Sequence, residues 1–136
     1  MSNKWLLRIF LAFGLTTMIL GCQKDESIDS ELSGTWIELK NELDTIDFDG
    51  WNSERVFILR RGFELVEGHM LPRYGSGIYR FKLKSDTIMI NNMLWNCICY
   101  PSYFFQMNKT GNTFIIGNFY DTTLAASEHI TFIRNK

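Results

Sequence analysis

Ile78-Tyr79-Arg80-Phe81-Lys82-Leu83-Lys84-Ser85-Asp86-Thr87-Ile88-Met89-Ile90-Asn91 decides the fold class. Over residues 78–84 apolar and basic side chains alternate. Tyr79, Phe81 and Leu83 fall on one face, and Arg80, Lys82 and Lys84 on the other. That is the period of a strand with one buried and one wet face. Ser85-Asp86 leaves room only for a tight connection, and residues 87–91 return. Two such runs joined by two residues predict an antiparallel hairpin.

The same rhythm extends in both directions. Upstream, strands are predicted over residues 35–40, 44–48 and 55–60. In the first, Thr35, Ile37 and Leu39 share one face and Trp36, Glu38 and Lys40 the other. The third is apolar on both faces and reads as central. Gly62 breaks it, and residues 63–66 continue as a further strand. Asp49-Gly50 marks a turn, and residues 67–77, with Gly68, Pro72, Gly75 and Gly77, read as a long loop. Downstream, residues 103–108 and 113–119 flank the turn Lys109-Thr110-Gly111-Asn112. Residues 121–128 form a polar loop and residues 130–134 a last strand. No long helical period interrupts this series. About eight or nine short strands spaced roughly ten residues apart predict an all-β, antiparallel domain. A small up-and-down barrel of about eight strands leaves no edge exposed. A two-sheet β-sandwich is the alternative.

Leu32-Ser33-Gly34-Thr35-Trp36 opens the first strand, and Arg134 sits in the last. Gly34, Trp36 and Arg134 resemble the Gly-x-Trp opening of lipocalin-like barrels and the basic residue that packs over its Trp. The resemblance implies a structural role for these three and an Arg–Trp cation–π contact of ~0.5–2 kcal/mol. Gly75-Ser76-Gly77-Ile78-Tyr79 and Ile116-Gly117-Asn118-Phe119-Tyr120 are similar to segments of lipocalin-like lipoproteins of Bacteroidetes-type bacteria. That likeness implies fold and location, and no activity.

The N-terminal segment agrees on location. Lys4 and Arg8 precede an apolar run over residues 9–20, which is shorter than the ~20 residues a membrane span needs. Ile19-Leu20-Gly21-Cys22 then resembles the lipobox of bacterial lipoproteins. Residues 1–21 are expected to be a cleaved signal peptide, and Cys22 to carry diacylglyceryl and palmitate-type acyl chains. Two or three chains anchor stably where one does not. Residues 22–31 form the lipidated tether and residues 32–136 the barrel domain. Gln23-Lys24-Asp25-Glu26-Ser27 is similar to the acidic export signal of surface-displayed lipoproteins. The expected location is therefore the outer membrane, with the cell surface favoured over the periplasmic face.

Composition narrows the function. Lys4 and Arg8 leave with the signal, so the mature chain carries 12 basic against 15 acidic side chains. Without a basic stripe, nucleic acid is excluded as a partner. His69 and His129 are the only histidines, and neither adjoins a Ser or Cys in a nucleophile motif. Glu64 and Glu67, three apart in a strand-like stretch, point to opposite faces and do not form an acid–base pair. Glu42, Asp44, Asp47 and Asp49 lack the residue order of a calcium loop, so no metal or other cofactor is assigned. No enzyme is expected.

Residues 93–101 are unusually apolar for a connection. Met93, Leu94, Trp95, Ile98 and Tyr100 either plug an open barrel end or present a surface to a ligand or partner. Tyr74, in the 67–77 loop, borders the same mouth. Cys97 and Cys99 are either bridged or free, because residues two apart on a strand sit near the ~7 Å limit for a bridge. The expected function is a lipid-anchored, non-catalytic module that binds a small apolar or amphipathic ligand or a partner protein. The alternative is a structural or assembly subunit of an envelope complex.

Overall fold

A computed structural model describes residues 30–48 and 55–136. The expected signal peptide, Cys22, the greater part of the expected tether and the turn expected at Asp49-Gly50 lie outside the described residues.

The domain is all-β and closes into an antiparallel barrel of eight strands. Three strands come first: β1 (Gly34–Glu38), β2 (Thr45–Phe48) and β3 (Val56–Arg60). Then β4 (Phe63–Val66) and β5 (His69–Pro72) leave the barrel as a separate hairpin. β6 (Gly77–Lys84), β7 (Thr87–Asn92), β8 (Ser102–Met107), β9 (Thr113–Gly117) and β10 (His129–Arg134) complete the wall. Each barrel strand pairs with the next, and β10 pairs back onto β1 through Trp36↔Arg134. The β-sandwich alternative is therefore set aside.

The 78–91 hairpin forms as its alternation dictates. Phe81 pairs with Ile90, and Lys84 with Thr87, across a turn where Ser85 takes φ 51°. Tyr79, Phe81, Ile88 and Ile90 point into the barrel and are buried, while Arg80, Lys82 and Lys84 face water.

Eight strands enclose a lumen just wide enough to be filled by side chains. Trp36, Phe48, Phe57, Phe81, Phe105, Phe114 and Phe132 fill it. Phe114 is the hub: Trp36 meets it edge-on at 4.8 Å and Phe132 stacks on it at 5.1 Å. Edge and offset contacts of this kind add to the stabilisation from area burial alone.

The chain meets the barrel at the end where β1 starts and β10 finishes. There the Arg134 guanidinium lies 4.4 Å over the Trp36 ring. It donates to the Ser33 carbonyl at 2.7 Å, the Gly111 carbonyl at 3.3 Å and the Glu31 carbonyl. Trp36 Nε1 donates to the Leu32 carbonyl at 2.8 Å. Gly34 takes φ +111°, where a side chain would be strained. Gly34, Trp36 and Arg134 thus close this end together.

Residues 63–66 form the further strand expected after Gly62, though outside the barrel. Two expectations are corrected. The stretch read as a loop contains β5, which pairs with β4; Glu67 and Gly68, both at positive φ, make the turn between them. Two short half-apolar runs four residues long carry no signal that separates loop from hairpin. Residues 118–119 do not continue β9, because Asn118 turns the chain inward. Its side-chain amide donates to the carbonyls of Asp121 and Leu124, at 2.7 and 3.2 Å, and its Oδ1 accepts from the Asp121 amide.

Candidate functional site

The opposite end collects the long connections: residues 39–44, 61–76, 93–101 and 118–128. Up-and-down topology alone brings them together, since alternate connections lie at the same end.

This end is closed from within by residues 119–120. The Phe119 ring packs edge-on against Phe57, Tyr79 and Tyr103, with centroids 5.4–5.9 Å away. Tyr120 packs beside it at 4.8 Å. The Tyr79 hydroxyl donates to the Gly75 carbonyl at 2.6 Å and fixes the 73–76 turn over the mouth. Gly75 lies against Tyr120: a Cβ there would come within 3.0 Å of the Tyr120 Cβ, so only glycine fits.

Arg61 holds the closure. It is 5% exposed. Its Nε donates to Asp44 at 3.0 Å, Nη2 to Asp121 at 3.0 Å and Nη1 to the Tyr74 carbonyl at 2.8 Å. Its guanidinium also lies 4.8 Å over the Tyr120 ring. One planar fork therefore ties β3 to three connections, geometry that a lysine could not supply. Burial pushes the Tyr120 hydroxyl well above its ordinary range, reinforced by the Asp44 carboxylate it faces. Burial likewise pushes Tyr79 up to about 12, with Tyr74 adding to the effect. Both phenols stay neutral at physiological pH.

The acidic residues near this end serve the scaffold. Glu38 is buried and accepts the amides of Lys40 and Asn41, at 2.9 and 2.6 Å, which fixes the β1–β2 turn. Asp44 pairs with Arg61 inside, and Asp47 pairs with Arg60 outside at 3.4 Å. Of the acids read together in the sequence, Asp44 and Asp47 are thus drawn apart onto two arginines and Glu42 is exposed; Asp49 lies outside the described residues. Among the described residues no group of three His, Cys, Asp or Glu side chains is placed to hold a metal ion. Glu64 and Glu67 are exposed on the projecting hairpin. His69 starts β5 in solvent, and His129 starts β10 with its ring stacked on Phe104 at 4.6 Å.

The 93–101 connection does not plug the barrel. Leu94 is 74% exposed, Trp95 61% and Ile98 89%, with Met93 and Tyr74 also exposed. The plug is the Phe119-Tyr120 pair. Trp95, Tyr74 and Cys99 line one side of a small cleft of about 80 Å³ whose floor is Tyr79 and Phe119. Leu94 leans on Gly77, where a Cβ would meet its Cδ1 at 3.6 Å. Tyr100 is half-buried elsewhere, with the Lys82 ammonium 4.4 Å over its ring. Five of the six residues read as a binding set therefore lie exposed at this end, and Tyr100 packs against the outer wall. Cys97 and Cys99 are bridged, with Cα atoms 5.3 Å apart across a bent segment.

The projecting hairpin adds apolar surface at the same end. Phe63, Leu65, Met70 and Pro72 share one of its faces by register, and all four are exposed. A larger cleft, about 460 Å³, opens at the rim between residues 38–44 and 120–131. Buried Glu38, Asp44, Tyr120 and Ile130 line it, with Asp121 and Glu128 also at its border, so four carboxylates surround it.

Sequence reasoning missed Arg61, Asn118 and the Phe119-Tyr120 plug. Arg61 was within reach, because Phe57, Leu59 and Arg61 keep one parity and the first two are core. No family model, curated protein or solved structure matches this chain.

Proposed function

We propose that this chain is a lipid-anchored, non-catalytic module of the outer membrane that binds a partner protein through the end of its barrel that carries the exposed apolar connections. The observation that carries the reading is a contrast. The lumen is packed with aromatic rings, while Tyr74, Met93, Leu94, Trp95 and Ile98 stand exposed at one end. A carrier of small apolar ligands needs an enclosed, mostly apolar cavity of roughly 300 Å³ or more; the cleft beside Trp95 is about 80 Å³, and the cleft of about 460 Å³ at the rim is bordered by four carboxylates. Exposed apolar patches on a small domain instead mark contact surfaces. Trp and Tyr are the residues that dominate such contacts.

Polarity along the barrel supports the same reading. Arg134 closes the end where β1 begins, and the apolar connections lie at the other. A partner within an envelope assembly fits a barrel whose exposed apolar side chains gather at one end, which merges the module and assembly-subunit readings. Surface display through the Gln23–Ser27 signal is part of the proposal.

The test is site-specific photo-crosslinking in intact envelopes. A photoreactive residue at position 95 or 98 is expected to give one or two adducts of discrete protein mass, and one at position 110, on the opposite end, none. Adducts with lipid alone at 95 and 98, or equal labelling at both ends, would remove the partner-binding assignment. Protease shaving of intact cells, with a Cys22→Ala control, tests the location separately.

A further inference from the structure

The bridge between Cys97 and Cys99 does little for the scaffold. It closes a loop of only three residues, and a cross-link stabilises mainly by removing loop-closure freedom from the unfolded chain, least for the shortest loops. The connection is already held by hydrogen bonds. The buried Asn91 side-chain amide donates to the carbonyls of both Cys97 and Cys99, at 2.9 and 2.8 Å. The Met93 amide donates to the Ile78 carbonyl at 3.0 Å, and the Ile90 amide to the Pro101 carbonyl at 3.0 Å. The chain path through residues 90–101 is thus set by the end of β7, with the bridge lying on top of it.

Both cysteines are exposed. Exposed bridges are the ones that exchange, since attack needs a thiolate to approach along the S–S axis. Cys99 also lines the aromatic cleft with Trp95 and Tyr74. A cysteine carried on a peptide with an apolar neighbour can seat that neighbour in the cleft and bring its sulfur to Cys99.

We propose that Cys97 and Cys99 are a redox-active pair that exchanges with a cysteine pair of a protein docked at this end. The partner's thiolate attacks Cys99 Sγ, the S–S bond breaks, and Cys97 leaves as a thiolate that takes a proton from water. The partner's second thiolate then attacks its own sulfur in the mixed disulfide and releases Cys99. The partner dithiol loses two electrons and two protons and becomes a disulfide, and Cys97 and Cys99 gain both. The choice of partner rests on the docking surface proposed above; the redox activity of the pair does not.

Two measurements on the full-length chain in detergent separate these. In the first, the chain is equilibrated with reduced and oxidised glutathione over a range of ratios, alkylated, and mapped by peptide mass so that only Cys97 and Cys99 are read. Both are expected to become alkylated together at an intermediate ratio, with unchanged far-ultraviolet circular dichroism. A pair that stays oxidised under a thousandfold excess of reduced glutathione until the fold is denatured is structural, and overturns the proposal. Thiols that stay free in oxidised glutathione overturn it equally. In the second, Cys97→Ser leaves Cys99 to be trapped by an activated disulfide of a short peptide. A peptide whose cysteine follows Phe is expected to react at least tenfold faster than one whose cysteine follows Gly, and Trp95→Ala to cut that preference below threefold. Equal rates for the two peptides, with the glutathione exchange intact, overturn the apolar partner and the docking surface while leaving the redox pair standing.

Discussion

Arg61 shows how a single side chain can close a barrel. Its charge is removed from water and offset by Asp44 and Asp121, each 3.0 Å away. Removing one member of such a set leaves buried charge without its partner, which costs ~3–5 kcal/mol. Arg61→Met is therefore expected to lower the unfolding free energy by about that amount in urea denaturation, and adding Asp44→Leu to recover part of it. A loss no greater than that of an exposed substitution such as Arg60→Met would contradict this role. Asp121 responds to pH. Burial works against its carboxylate, but the Thr123 hydroxyl and amide, at 2.7 and 2.9 Å, and the Arg61 guanidinium hold its pKa below the ordinary value. The folded pKa is thus lower than the unfolded value of about 3.9. As pH falls the unfolded chain takes the proton first, so the stability Asp121 supplies is full above that value and is lost through the folded pKa. The urea midpoint is expected to fall as pH drops from 5 to 3. In Asp121→Asn it should start lower and fall less steeply; identical slopes would rule out this linkage.

At the scale of elements, what could be read in the sequence divides along physical lines. The β6–β7 hairpin was legible because one face is buried and the other wet, so alternation and register carry the same message. Trp36 and Arg134 were legible as a pair through a resemblance, and the register Trp36↔Arg134 explains why the pair meets. β4 and β5 were not legible as a unit. Neither face of that hairpin is buried, so no alternation between core and solvent was imposed on its sequence. The 93–101 loop was legible as apolar, but whether it plugs or projects depends on what else occupies the mouth. Phe119 and Tyr120 decide that, from a different connection. The exposed hairpin also gives an expectation of its own. Its ends are adjacent, since the Arg73 amide donates to the Gly62 carbonyl at 3.1 Å. Replacing residues 63–72 with Gly-Gly should leave the barrel intact and shift Tm by less than about 6 °C, the equivalent of about 1 kcal/mol. Loss of cooperative melting in calorimetry would mean that the hairpin is part of the barrel's folding unit.

Taken whole, the barrel is sealed at both ends by the same device, an arginine laid over a buried aromatic ring. Arg134 covers Trp36 at 4.4 Å where the chain enters, and Arg61 covers Tyr120 at 4.8 Å at the far end. Between them Phe114 and its neighbours fill the middle of the barrel with aromatic rings. Closure of the sheet removes free edges, and the two seals remove access along the axis. On the proposed reading a partner then binds from outside, where exposed apolar surface is concentrated at one end. This separates the partner-binding reading from that of an apolar-ligand carrier in a single titration. A fluorescent fatty acid such as parinaric acid should show no saturable uptake at micromolar concentration. Any weak signal should arise from the exposed patch and disappear in the Trp95→Ala, Ile98→Ala double variant. Tight, saturable uptake that survives that double variant would require the Phe119-Tyr120 plug to swing out and open the lumen, and the module would then be a carrier. Packing argues against that motion. Phe119 touches four aromatic rings, and the Asn118 amide bonds that turn the chain inward would have to break with them.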